Sequence, residues 1–189
     1  TCDYQPFIAR APLVLIFLAD YQRWFDYFEL SQVPTFCAST ERTWQGPDVG
    51  DLFLALDDAL IAAQTAVLAA ESLGIGSCYI GDIMENYETH RELLALPDYV
   101  FPAAMLCLGY YPEGYQPKFR SRFDQEFIVH SEKYRRLGEA ELQSMFAELE
   151  AEFAPTNRFG AENMGQFVYA RKTGSDFARE MSRSVRAAL

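Results

Sequence analysis

The chain has 189 residues, half of them hydrophobic and 15% aromatic, which supplies a packed core and excludes a disordered chain. Its formal net charge of −11 argues against nucleic acid as a partner, because a phosphate backbone demands a basic face. The four cysteines, Cys2, Cys37, Cys78 and Cys107, form neither a CxxC pair nor a Cys/His cluster, so no metal site is expected from them and their usage fits a reducing, cytoplasmic setting.

The run "PLVLIFLAD" (Pro12 to Asp20) reads as a buried central strand. Asp20 then caps the aromatic helix "YQRWFDYFEL". Val33 to Gly50, with its prolines, glycines and hydroxyl side chains, reads as a loop. The longest element is a helix from Asp51 to Leu73, rich in alanine and leucine and closed by Gly74. Apolar residues cover nearly all of its faces, so it is expected to be buried on all sides, in the core or against another subunit. Asp57, Asp58, Gln64 and Glu71 interrupt it, so a membrane span is not expected; Leu13 to Ala19 is too short for one.

"SCYIG" is short and extended, and a helix follows over Asn86 to Leu96, stopped by Pro97. "YVFPAAMLCLGYY" is a second buried strand, in which Pro102 argues for an edge or a bulge. Cys78 and Cys107 lie in these apolar runs and read as buried thiols. Pro112 to Phe123 is a loop carrying Lys118, Arg120 and Arg122, and "EFIVHS" reads as a third short strand. Helices over Glu139 to Phe153, Glu162 to Lys172 and Ser175 to Leu189 close the chain. Strands and helices do not alternate, so the expected class is α+β, a mixed central sheet flanked by helices.

The glycines of "LGIGSCYIGDI" do not form a nucleotide loop. Gly74, Gly76 and Gly81 follow a helix and lead into a strand, the reverse of the dinucleotide fingerprint, and no Gly-Lys-Ser/Thr comes after them. Gly74 serves as a helix cap and Gly76 as a turn. Gly81 stands where a strand ends and lets a flat ligand approach the backbone. His90 sits in a polar helix and is expected to face water, and His130 reads as an ordinary sheet-end residue. Neither lies near a nucleophile motif.

The segments "DALIAAQTAVLAAESLGIGSCYIGDI" and "LLALPDYVFPAAMLCLGYYPEGYQPKFR", with the closing "FVYARKTGSDFAREMSRSV", resemble the FMN-dependent nitroreductase family, in its NAD(P)H-dependent branch. The resemblance runs from about Asp3 to the end of the chain. It implies a nitroreductase-like fold in which the long helix lies at the interface of a homodimer. It also implies that the backbone amides of Gly81 and Asp82 meet flavin N5 and O4, with Tyr79 and Ile80 as part of the wall beside the ring. Lys118 and Arg120 match the family's basic loop and would hold the FMN phosphate. Asp82 stands where some relatives carry a second glycine. Trp44 or Phe36 could meet a substrate, although surface packing is the plainer reading.

The implied chemistry is a ping-pong transfer of hydride from NAD(P)H, through flavin N5, to a nitroaromatic, quinone or flavin acceptor. No catalytic side chain is expected, because positioning and electrostatics suffice. The family opens with an arginine- and serine-bearing phosphate motif that does not precede Thr1. The chain therefore reads as one domain, residues 1–189, lacking its N-terminal segment. The alternative is a non-catalytic or degenerate flavin-binding paralogue.

Overall fold

A computed structural model describes residues 2–116 and 121–188 of the chain. After a short 3-10 turn, Cys2–Tyr4, the order is α1 (Pro6–Arg10), β1 (Leu13–Asp20), α2 (Gln22–Leu30), α3 (Val33–Ser39), α4 (Val49–Ser72) and β2 (Ile75–Ile80). A second 3-10 turn, Gly81–Met84, then leads to α5 (Tyr87–Leu94), β3 (Val100–Tyr110), α6 (Gln125–Ile128), α7 (Glu139–Ala151), α8 (Met164–Arg171) and α9 (Asp176–Ala187). The class is α+β, as expected. The chain divides into two compact units, one of residues up to Glu113 together with Arg179 onward, the other from Gly114 to Ala178.

In the first unit the three strands form an antiparallel sheet in the order β1-β3-β2. This corrects the sequence reading of β1. Its apolar run is an edge strand, and of its residues only Ala19 is buried. The centre belongs to β3, buried from Val100 to Leu108. Pro102 is tolerated there because the ladder slips beside it. Leu18 pairs with Pro102 and Phe17 with Ala104, so Ala103 is the extra residue of a bulge.

Both faces of the sheet are covered. On one, Ile80, Met105 and Cys107 cluster with Cys2 and Ile83, and Ile8, Val14 and Ile16 pack around them. On the other, Leu106 and Leu108 meet Ala63 and Ala70 of α4, with Leu15, Phe17 and Val67 at the border. The stripe of α4 turned to the sheet runs Leu52, Ala55, Ala59, Ala63, Ala66, Ala70, at three- and four-residue spacing. Alanine side chains let the helix axis sit close to the strands.

The rest of α4 is uncovered. Leu54 is 65% exposed, Ile61 66% and Leu68 60%. Burial on all sides within the core is therefore ruled out for this helix. By length and composition it is apolar enough to cross a membrane, but the alanine stripe commits one side of it to the sheet. The helix begins two residues earlier than its sequence suggested. Asp48 accepts from the Val49 amide at 2.7 Å, and Asp51 accepts from the Asp48 amide at 2.9 Å. Gly74, at φ +70°, closes it with an amide bond to the Glu71 carbonyl.

Two other expectations change. Val33 to Gly50 is not wholly a loop, since Val33–Ser39 is helical with Pro34 in its first turn, where a missing N–H costs nothing. Trp44, in the remainder of that segment, packs on Phe25 and Phe28. "EFIVHS" is not a strand: Gln125–Ile128 makes one helical turn.

The second unit holds α6, α7 and α8. Phe123 packs on Phe146, and Phe167 meets Phe153 and Phe159. Asn157 ties the connection between α7 and α8, accepting from the Phe159 and Ala161 amides at 3.1 Å each. Asn163 caps α8 through the Gln166 amide.

Candidate functional site

The segment Tyr79–Asp82 is where β2 leaves the sheet. The ladder holds it as far as Ile80, which pairs with Met105. Alternation then sorts the side chains. Ile80 is buried in the core cluster, so its main chain is the part it leaves towards the outside. Tyr79 points to the α4 side, half-exposed, with its hydroxyl 3.4 Å from Gln64 Oε1. Gly81 and Asp82 open the 3-10 turn, and amides in the first turn of a helix have no acceptor within it.

Among the described residues Gly81 has no intramolecular reason to be glycine. Its φ is not in the left-handed region, and an added Cβ would meet nothing within 4 Å. Gly76 differs, since a Cβ there would fall 2.6 Å from the Tyr111 ring. The bare backbone at Gly81 therefore borders open space, the cradle that a flat ring lying along the segment would use. Asp82 accepts from Gln5 Nε2 at 2.6 Å, so its carboxylate is engaged by the residue before α1. The residues present fit a flavin edge. Lys118 and Arg120 lie outside the described residues.

The chain beyond Asp82 is fixed from behind. Ile83 is buried, and α9 docks on the next five residues. Ser184, fully buried, donates to the Met84 carbonyl at 2.6 Å and accepts from the Tyr87 amide at 2.9 Å. Glu180 accepts from the Asn86 amide at 3.1 Å. Arg183 grips both oxygens of Glu88, at 2.7 and 2.8 Å, and also pairs with Glu180. The Arg183 guanidinium pulls the Glu88 carboxyl down to about 2 and lowers that of Glu180. Arg183 is thus committed to two carboxylates. These contacts were not read from the sequence, although Glu180, Arg183 and Ser184 lie at the spacing that shares one helix face.

His90 was expected to face water and is instead buried, with Nδ1 unpartnered and Nε2 3.9 Å from Cys2 Sγ. Burial lowers its pKa. The signal was available, since Tyr87 and His90 are one turn apart and both face inward. His130 lies beyond α6, against the Tyr134 ring, and not at a sheet end. Cys107 is buried as expected, but Cys78 is exposed. Two pockets of the first unit, one bordered by Tyr21, Leu52 and Tyr99 and one by Leu18, Trp24 and Asp58, share no residue with Tyr79–Asp82. Gly81 itself is exposed.

A three-stranded antiparallel sheet packed on a long helix, with one strand running into a glycine that borders open space, defines an α+β fold with an exposed backbone edge. Residues 2–110 match the Nitroreductase family, and the chain belongs to it. It is 40% identical over 110 residues to the oxygen-insensitive NADPH nitroreductase of Salmonella typhimurium, covering 55% of this chain and 45% of that protein. It is 33% identical over 181 residues to the FMN reductase [NAD(P)H] of Bacillus subtilis, covering 96% of this chain and 64% of that protein. The chain thus spans about half to two thirds of the length of these curated relatives. Among solved structures, the hypothetical oxidoreductase YcnD from Bacillus subtilis superposes with a TM-score of 0.72 at 28% identity, over 99% of this chain and 72% of that one.

Proposed function

We propose that this chain is an NAD(P)H-dependent FMN oxidoreductase working as a homodimer in the cytoplasm, with residues 1–189 acting as one nitroreductase-like domain. The observation that carries the reading is Gly81, a glycine the fold itself does not need, at the end of a strand whose next amides have no acceptor within their own turn. The likeness to an NADPH nitroreductase and to an FMN reductase supports the same chemistry. Bound FMN supplies a two-electron carrier that alternates between the nicotinamide and a nitroaromatic, quinone or flavin acceptor in ping-pong order.

The protein's part is positional. The Gly81 and Asp82 amides donate to the electron-rich edge of the ring, where fixed dipoles stabilise added charge. Tyr79 and the Ile80 main chain border the ring, and Lys118 and Arg120 bind the phosphate. No side chain of this set transfers a proton. The unclothed apolar side of α4 meets its counterpart in a second copy.

The test is the visible spectrum of the purified protein, before and after FMN is added, followed by NADPH and then a quinone. Flavin bands that bleach with NADPH and return with the quinone are the expected result. A protein that stays colourless after FMN addition overturns the reading. Flavin bands that do not bleach leave a binding protein without turnover.

A further inference from the structure

β2 and β3 are paired so that Cys78 stands directly opposite Cys107. Residues directly opposed in an antiparallel ladder project to the same face. Their Cα atoms are about 4.5 or about 5.5 Å apart, depending on the hydrogen-bonding phase, and both separations fall within the roughly 4.4–6.8 Å that a disulfide bridges. Access to the two sulfurs differs. Cys78 is exposed, whereas Cys107 is 6% exposed within the cluster formed with Cys2, Ile80, Ile83 and Met105. Neither thiol has a part in the flavin reading.

We infer that Cys78 and Cys107 form an oxidisable pair that closes a cross-strand disulfide when a hydroperoxide reaches Cys78. The Cys78 sulfur attacks one peroxide oxygen, the O–O bond breaks, and the other oxygen leaves as water with the thiol proton. Cys78 is then a sulfenic acid. The Cys107 sulfur attacks the Cys78 sulfur, the S–O bond breaks, and the hydroxyl departs as a second water carrying the Cys107 proton. In sum two thiols and one hydrogen peroxide give one disulfide and two waters, with two electrons passing from sulfur to oxygen. Burial, and then the nearby Cys78 sulfur, push the Cys107 thiol up, and its burial leaves the exposed Cys78 as the sulfur that meets peroxide first. The bridge would join the central strand to β2 one residue before Tyr79.

The experiment treats the folded protein with a small excess of hydrogen peroxide, blocks residual thiols under denaturing conditions and maps peptides without reductant. Free thiols should fall from four to two, the mass should drop by two hydrogens, and one linked peptide pair should contain Cys78 and Cys107. In Cys107→Ser, Cys78 should stop at the sulfenic acid and be captured by dimedone. In Cys78→Ser the remaining thiols should survive the same dose. The inference is overturned if Cys78 in the wild type advances to sulfinic acid while Cys107 stays free. It is equally overturned if Cys107 is found linked to Cys2, or if no thiol is lost. The wild-type map decides the matter even if the buried Cys107→Ser variant folds poorly.

Discussion

Gly81 and Ser184 separate two kinds of importance at the level of single residues. An added Cβ at Gly81 meets no atom of the described residues within 4 Å, so Gly81→Ala should leave folding stability within about 0.5 kcal/mol of wild type, or raise it slightly. The same methyl lies where the ring edge would rest, so FMN affinity should fall roughly tenfold or more, about 1.4 kcal/mol. Denaturant melts and fluorescence titration with FMN read the two effects separately; unchanged affinity would remove Gly81 from the site. Ser184 is the converse case. Ser184→Ala strands the buried Tyr87 amide and Met84 carbonyl, at a cost of about 1–3 kcal/mol, seen as a lower denaturation midpoint. A midpoint equal to wild type would mean that the α9 contact is not formed in solution.

At the level of elements, α9 holds the segment behind the site partly through charge. Glu88, paired with Arg183, has its carboxyl at about 2 against an ordinary 4.5. A depressed carboxyl contributes stability that is fully present above its unfolded value and is lost as pH falls through its folded value. Glu88→Gln should therefore lower the melting temperature at neutral pH by a small, salt-sensitive amount, because the pair is exposed. That gap should close as pH falls from 4.5 towards about 2; a gap that persists at the acid end would assign it to something other than this ion pair. The strands show how an element's rank depends on its neighbours. β1 and β3 are both continuous apolar runs, and only pairing on two sides makes β3 central.

For the molecule as a whole, a single chain leaves one side of α4 uncovered. Leu54, Leu60, Ile61 and Leu68 are all exposed along it, and burying each such side chain is worth about 1.5–3 kcal/mol. The wild type should sediment as a dimer. Ile61→Glu combined with Leu68→Glu should give a folded monomer, with FMN affinity reduced if the cofactor lies where copies meet. A wild-type monomer at micromolar concentration would refute the assignment of this face to a second copy.

Much of this was legible in the residues themselves. The α+β class, the long helix and the β3 run follow from local composition, since helix propensity and apolar run length are properties of a short stretch of chain. The family wording around "YIGDI" was legible for the same reason. Burial was not, because it is set by the part of the chain that folding brings alongside. Pairing made β1 an edge and exposed Cys78 opposite a buried Cys107. Packing turned His90 inward, and the return of α9 made Ser184 the anchor of Met84–Tyr87. "EFIVHS" reads equally as a short strand or a helical turn, and no partner strand stands beside it among the described residues. Such outcomes depend on contacts between residues tens of positions apart, and those contacts exist only once the chain has folded.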